Sequence, residues 1–388
     1  MYKTLNLHID RASWTTVLPP YRRRCPFPAG QAHTRISFPH ALLWIGITSV
    51  PIRIPRWWLA SQWALLRYFA AANHQETTLR LHEAVDDLEK HHKQVLSDDW
   101  GVGFALQWLC SRMRYRQLGH GSFVIADLQD AGLAKFSKRS KNGAAKCPDF
   151  IALAPNGRFH LIECKGNQKG PNETLNQFVN GRKQKRNIRF RREKLVGQRI
   201  LTGISIASAR SRWASTLRVE DPPPENENSI EVHEINVETA RPINDSLQKA
   251  AVIRGLLSAG AYDLAHRAFA KETETIDVRT LQRPRLSEFS SKDTAWIGQE
   301  YELVYPVALR AQDGSEFRGA RMRYGVAANL VRRAAVQDPD RLRTFLLEAE
   351  TDLSHDDLVI GTGRDFEPLQ RHAIIQQGSS FIAEMEIL

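Results

Sequence analysis

The chain has 388 residues, with 54 Lys plus Arg against 43 Asp plus Glu and a net charge of +11. This length exceeds one ordinary hydrophobic core and predicts two or three domains, while 42% hydrophobic and 25% charged residues exclude wholesale disorder and a collagen-like chain. Four cysteines exclude a disulfide scaffold, and the basic excess points to a polyanionic partner or an anionic surface.

The first residues, Met1 to Asp10, contain no apolar run of the kind a leader needs. The apolar stretch Ala41–Ala72 is broken by Pro51, Arg53, Pro55, Arg56 and Arg67, so it falls short of the ~20 clean residues of a membrane span. Trp57, Trp58 and Trp63 then belong to a buried core or an interdomain contact. The expectation is a cytoplasmic protein with reduced cysteines and no membrane partner. Short strands and loops, then an aromatic helix near 57–71, are expected in the first 75 residues. Residues 77–96 read as a polar helix. Asp99 caps a second helix, about 99–115, whose apolar positions Val102, Ala105, Leu106, Leu109 and Met113 have helical spacing.

Farther on, Pro222, Pro223 and Pro224 sit in a polar break that marks a boundary. Beyond it, Ile230–Val237 reads as a strand and Ser246–Lys271 as two helices turning at Gly260. Tyr301–Arg323 reads as two strands around Asp313-Gly314, and Asp338-Pro339 opens a helix. The predicted division is an N-terminal accessory region (1–95), a core (96–220) and an α+β C-terminal accessory region (229–388).

Charge is uneven along the chain. Residues 101–200 carry 20 basic and 6 acidic side chains, a net of +14, whereas residues 201–388 carry a net of −7. Lys135, Lys138, Arg139, Lys141 and Lys146 precede Asp149 in the segment KCPDFIALAPNGRFHLIECKG (146–166). Arg182, Lys183, Lys185, Arg186, Arg189, Arg191, Arg192, Lys194 and Arg199 follow it. Two basic segments bracketing one site fit nucleic-acid phosphates on both sides of it, with Lys138, Arg139, Lys141, Lys146, Arg182, Lys183, Lys185 and Arg186 as the candidate contacts.

That segment reads as a β-hairpin. Asp149–Ala154 and Arg158–Lys165 are its arms, and Pro155-Asn156-Gly157 is turn chemistry. Side chains alternate faces along a strand and cross-strand partners share one. A two-residue Asn-Gly turn would oppose Asp149 with Cys164. A three-residue loop with Gly157 at positive φ opposes it with Glu163 and brings Asp149, Glu163 and Lys165 to one face. Two adjacent carboxylates are a hard-oxygen site for Mg²⁺, with Mn²⁺ as substitute. An adjacent lysine can orient water and stabilise developing negative charge.

Pro148-Asp149, thirteen residues, then Glu163-Cys164-Lys165 resembles the PD-(D/E)xK signature of restriction-endonuclease-like nucleases. The resemblance covers roughly residues 98–210. It implies an α/β restriction-endonuclease-like core, in which a mixed central sheet is flanked by helices. Asp149 and Glu163 would be metal ligands and Lys165 the catalytic lysine. The trailing helix would span about 172–186, followed by a strand at Ile200–Ala207. On that helix Gln177, Gly181 and Gln184 share a face, and Gln177 is a further catalytic candidate by the same resemblance. Relatives often carry an extra Glu on the leading helix. Here that helix has Gln107, with Asp98 and Asp99 at its expected start, so the number of metals stays open. Cys147, Cys164 and His160 lack zinc-ligand spacing and read as packing. Gly361-Thr362-Gly363 reads as a turn, and no Walker A motif occurs.

The function expected is a Mg²⁺-dependent deoxyribonuclease acting on duplex DNA, in restriction, phage defence or mobile-element processing. Aromatics for stacking single strands are sparse among the basic residues, which favours duplex. Two alternatives stand beside it: a non-catalytic DNA-binding or assembly subunit with a nuclease fold, and a nuclease subunit active only within a multiprotein transposase or defence complex. The acidic C-terminal region is the expected surface for a protein partner, and a homodimer is a further partner expectation.

Overall fold

The computed structural model describes residues 1–14, 25–50, 67–136, 147–186, 188–221, 233–271, 286–311, 314–355 and 372–388. Among the expectations, the tryptophans at 57, 58 and 63, the break at 222–228 and the turn at 361–363 lie outside these residues. In chain order the elements begin with β1 (Tyr2–Ile9), β2 (His33–Ser37), α1 (Phe38–Ser49), α2 (Lys90–Met113), β3 (Gln117–His120), α3 (Gly121–Asp130) and β4 (Ala134–Phe136). The hairpin β5 (Phe150–Leu153) and β6 (Phe159–Asn167) follows, then α4 (Pro171–Arg186), β7 (Ile188–Phe190), β8 (Val196–Ser205), β9 (Thr216–Glu220) and β10 (His233–Ile235). The remainder comprises α5 (Arg241–Ser258), α6 (Tyr262–Phe269), β11 (Ser287–Ser291), β12 (Thr294–Arg310), β13 (Glu316–Ala327), α7 (Ala328–Ala335), α8 (Pro339–Leu347), β14 (Leu353–His355), β15 (His372–Gln377) and β16 (Phe381–Ile387).

The chain forms two compact units, and the boundaries differ from the expected three regions. One unit is residues 3–36 with 78–247; the other is 1–2, 37–77 and 248–388. Residues 1–95 are therefore not a domain of their own. The reason is strand pairing at long range: β1 runs parallel to β9, with Asn6 opposite Thr216 and Ile9 opposite Val219. That pairing commits the N-terminal strand to the sheet of the first unit.

The first unit is built on a seven-stranded sheet in the order β2-β1-β9-β8-β6-β5-β3. It is mixed: β6 and β8 are parallel, whereas β5/β6, β3/β5 and β8/β9 are antiparallel. This is the α/β arrangement expected, a mixed central sheet flanked by helices. The faces of β6 are covered by different helices. Gly166 points its missing Cβ at Ser97 of α2, whereas Gly181 of α4 approaches Leu201 and Glu163. Residues 163 and 166 differ in parity, so they lie on opposite faces.

Helix α2 corrects the expected start at Asp99. It runs from Lys90, follows Glu89, and ends where Arg114 turns left-handed at φ 51°. Its first two turns are mostly polar and solvent-facing, and its buried face begins only at Leu96 with Trp100 and Phe104 behind it. The apolar periodicity therefore starts inside the helix, and Asp99 is a mid-helix residue. Residues 77–82 are not helical; a short 3₁₀ turn, Glu83–Asp87, precedes the helix.

The second unit carries a six-stranded antiparallel sheet in the order β11-β12-β13-β16-β15-β14. Gly260, at φ 80°, makes the turn between α5 and α6, and Asp338-Pro339 opens α8 as expected. Helix α1 is buried on nearly every side, which accounts for its unbroken hydrophobicity. Among the described residues no helix is long and apolar enough to cross a membrane.

Candidate active site

The hairpin has the three-residue loop. Phe150 pairs with Ile162 and Leu153 with Phe159. Gly157 sits at φ 74°, and its N–H donates to the Ala154 carbonyl at 2.9 Å. One step farther out, Asp149 and Glu163 oppose each other. The Cys164 N–H donates to Asp149 Oδ2 at 2.8 Å, and the Asp149 N–H donates to Glu163 Oε2 at 3.3 Å. Lys165 Nζ forms a short ion pair with Glu163 Oε1. All three side chains therefore meet at the end of the hairpin. The Glu163 side chain is 0% exposed and that of Lys165 is 22% exposed, so solvent reaches the ammonium but not the carboxylate beneath it.

Electrostatics follow from this burial. Burial, and then the neighbouring Asp149 charge, push Glu163 up to about 8 against the pull of Lys165. Burial also raises Asp149, opposed by the Cys164 N–H and Lys165. Lys165 is raised: burial works against its charge, but Glu163 and Asp149 outweigh that. The donor set fits a hard divalent cation. Two carboxylates beside one ammonium carry a net negative charge once Glu163 is ionised, which a divalent cation would favour, and Mg²⁺ ordinarily keeps several waters beside one or two carboxylates. Among the described residues no third His, Cys, Asp or Glu completes a closed metal cage.

A stability prediction follows. Because the folded-state pKa of Glu163 is raised, the folded protein holds this proton more tightly than the unfolded chain does. Without divalent cation, stability should then fall as pH rises from the ordinary carboxylate range towards 8. Melting in EDTA across that window should show the wild type losing ground to Glu163→Gln as pH increases. A constant difference between the two would contradict it.

Helix α4 is seated on the Glu163 face by glycine. A Cβ at Gly181 would lie 2.6 Å from Leu201 Cδ1 and 3.5 Å from Glu163 Cγ. A Cβ at Gly203, opposite Lys165, would lie 2.5 Å from Phe178. Phe178 is core, at 0% exposure. Gln177 does not reach towards the carboxylates with a free amide. Its Nε2 donates to the Gly166 carbonyl at 3.0 Å, and its Oε1 accepts from Asn167 Nδ2 at 3.3 Å. It ties α4 to the end of β6.

Three neighbours were not singled out from sequence as parts of the site. Asn167 Oδ1 accepts from the N–H groups of Lys169 and Gly170, both at 3.0 Å, and turns the chain from β6 into α4. Gln168 Nε2 donates to the Lys93 carbonyl and to Ser97 Oγ, both at 2.9 Å. Asp98, weighed only as a residue at a helix start, lies within α2. Its pKa is raised by burial and, more weakly, by Asp99 and Asp149, with Lys165 opposing. Asn-x-x-Gly-Pro before a helix was the available signal for Asn167; Asp98 needed the true helix start. Beside this end of β6 is a cleft of about 450 Å³, with Lys90, Lys93 and Asp98 of α2 on one side and Asn167, Lys169 and Gln177 on the other.

The basic candidates divide. Lys138, Arg139, Lys141 and Lys146 lie outside the described residues. Lys183, Lys185 and Arg186 lie on α4 with side chains outside the described set. Arg182 is corrected from a phosphate contact to a structural pair. Its Nε and Nη2 meet the two oxygens of buried Glu220 at 2.7 and 3.0 Å. Arg182→Ala should cost about 3 kcal/mol by stranding a buried carboxylate. Urea melts should show that loss, and Arg182→Met with Glu220→Leu should recover most of it. Arg191 and Arg192 likewise share Glu238. His160 and Cys164 face away from Glu163: His160 Nδ1 lies 3.0 Å from the Tyr115 hydroxyl, and both are buried.

No protein-family model, curated protein or solved structure matches the chain.

Proposed function

We propose that the chain is a Mg²⁺-dependent deoxyribonuclease that hydrolyses phosphodiester bonds. The observation that carries the proposal is the meeting of Asp149, Glu163 and Lys165 at one end of the β5–β6 hairpin. A bound Mg²⁺ would supply Lewis acidity and an activated water between Asp149 and Glu163. The protein's own groups divide the remaining work. Asp149 is oriented by the Cys164 N–H, which holds one of its two carboxylate oxygens. Glu163 anchors the Lys165 ammonium through one oxygen. Lys165, at the solvent boundary, is placed to hold a water molecule and stabilise charge developing on the phosphate. Asp98 of α2 lies in the same electrostatic field but completes no three-residue metal group among the described residues.

The local basic excess supports a nucleic-acid substrate, since residues 101–200 carry the chain's whole positive surplus. Incubation of supercoiled plasmid with the purified protein tests the reading. Nicking or linearisation is expected with Mg²⁺ or Mn²⁺, none in EDTA, and none with Asp149→Asn.

A further inference from the structure

The face of β6 that carries Glu163 and Lys165 has one more polar member. Side chains alternate along a strand, and β6 pairs with β8 in unbroken register from Leu161 to Asn167, so Glu163, Lys165 and Asn167 point the same way. Lys165 thus has a neighbour two residues away on either side, each roughly 6–7 Å along the strand. Behind it stands Glu163, whose Oε1 takes the ammonium. Ahead of it stands Asn167, buried at 6% exposure. A carboxylate at 167 would meet the ammonium at the same spacing as Glu163 does. The carboxamide found there carries no charge.

That carboxamide is also fully committed. Its oxygen offers two acceptor sites and its nitrogen two N–H donors. Oδ1 accepts from the Lys169 and Gly170 N–H groups, both at 3.0 Å, while Nδ2 donates to Thr174 Oγ1 at 2.8 Å and to Gln177 Oε1 at 3.3 Å. The Asn167 backbone carbonyl accepts from the Ile206 N–H at 2.8 Å, and Gln177 in turn holds the Gly166 carbonyl at 3.0 Å. All four hydrogen-bonding positions of the side chain face the fold, and none is left for Lys165, for a metal or for a phosphate. A buried polar group satisfied this completely is rigid. The fixed segment begins at the residue after Lys165.

We propose that Asn167 is a positioning residue: a neutral, saturated neighbour that leaves Glu163 as the only side-chain acceptor on this face of β6 open to the Lys165 ammonium, and so keeps that ammonium beside the two carboxylates. The inference rests on the nuclease reading of Asp149, Glu163 and Lys165. Asn167 touches neither metal nor substrate in it, and no covalent step is added to phosphodiester hydrolysis.

A double-mutant cycle tests it. Asn167→Asp is isosteric and keeps the acceptor for the Lys169 and Gly170 N–H groups, but it sets a carboxylate ahead of Lys165. Plasmid nicking would be timed at saturating Mn²⁺ for the wild type, Asn167→Asp, Lys165→Ala and the double variant, at a temperature where melting curves show each folded. Asn167→Asp is expected to slow nicking at least tenfold when Lys165 is present and less than twofold when it is absent. Calorimetry should show it binding Mn²⁺ no more weakly than the wild type, since both metal-binding carboxylates remain. A merely structural role would slow both backgrounds alike, and that result overturns the proposal, as does slowing of less than threefold beside Lys165. Asn167→Ser serves if the acid does not fold: it is uncharged, keeps an acceptor, and should nick at least fivefold faster than Lys165→Ala. A folded Asn167→Ser as slow as Lys165→Ala also overturns the proposal. No nicking by the wild type takes down the nuclease reading and this inference together; wild-type nicking with a failed cycle takes down the inference alone.

Discussion

Gly166→Ala is expected to unseat helix α2 and to cost about 3 kcal/mol or more, with loss of any activity the site supports. The reason is contact between backbones. A Cβ at Gly166 would fall on the Ser97 carbonyl oxygen of α2, and a Cβ at Gly101 would lie 2.8 Å from the backbone of Lys165 and Gly166. A flexible side chain can move aside; a helix backbone packed over a strand moves only as a body. Overpacking of this kind costs roughly 1–3 kcal/mol where side chains adjust and more where they cannot. For a unit of this size each kcal/mol lowers the melting temperature by about 2–4 °C. Gly101→Ala should behave alike but more mildly. A melting temperature within one degree of wild type for Gly166→Ala would mean that α2 and β6 are not in this contact.

Lys165→Ala separates chemistry from metal affinity. The ammonium is held by Glu163 at the solvent boundary. Its removal should therefore spare the Asp149 and Glu163 oxygens that would hold Mn²⁺ and take away only charge stabilisation at the reacting phosphate. Loss of one such group typically lowers kcat by about 10²–10³-fold. The expected result is Mn²⁺ binding by calorimetry close to wild type, with cleavage lowered by that factor. Glu163→Ala should lose both. Cleavage by Lys165→Ala within threefold of wild type would remove the lysine from the catalytic assignment.

What could be read in advance was local. The alternation of β5 and β6 and the Pro-Asn-Gly turn set the register, and the register puts Asp149 opposite Glu163. The trailing helix and the Gly260 turn were legible for the same reason: caps, turns and periods act within a few residues. Long-range pairings were not. β1 joins β9 across some 200 residues of chain, and nothing in either strand names its partner. Arg182 sits in a basic run and reads as a phosphate contact; its neutralising partner, Glu220, comes from another strand. The cleft likewise forms only once α2 begins at Lys90, two turns earlier than its apolar face suggests. Charge summed along the sequence singled out the segment around the hairpin but could not say which cations face outward.

The most direct measurement is cleavage of supercoiled plasmid by the full chain, with and without Mg²⁺, beside Glu163→Ala that melts cooperatively. The account predicts metal-dependent strand scission by the wild type and none by the variant. Scission at equal rates by both, or none by the wild type with Mg²⁺ or Mn²⁺ on any DNA, would contradict it.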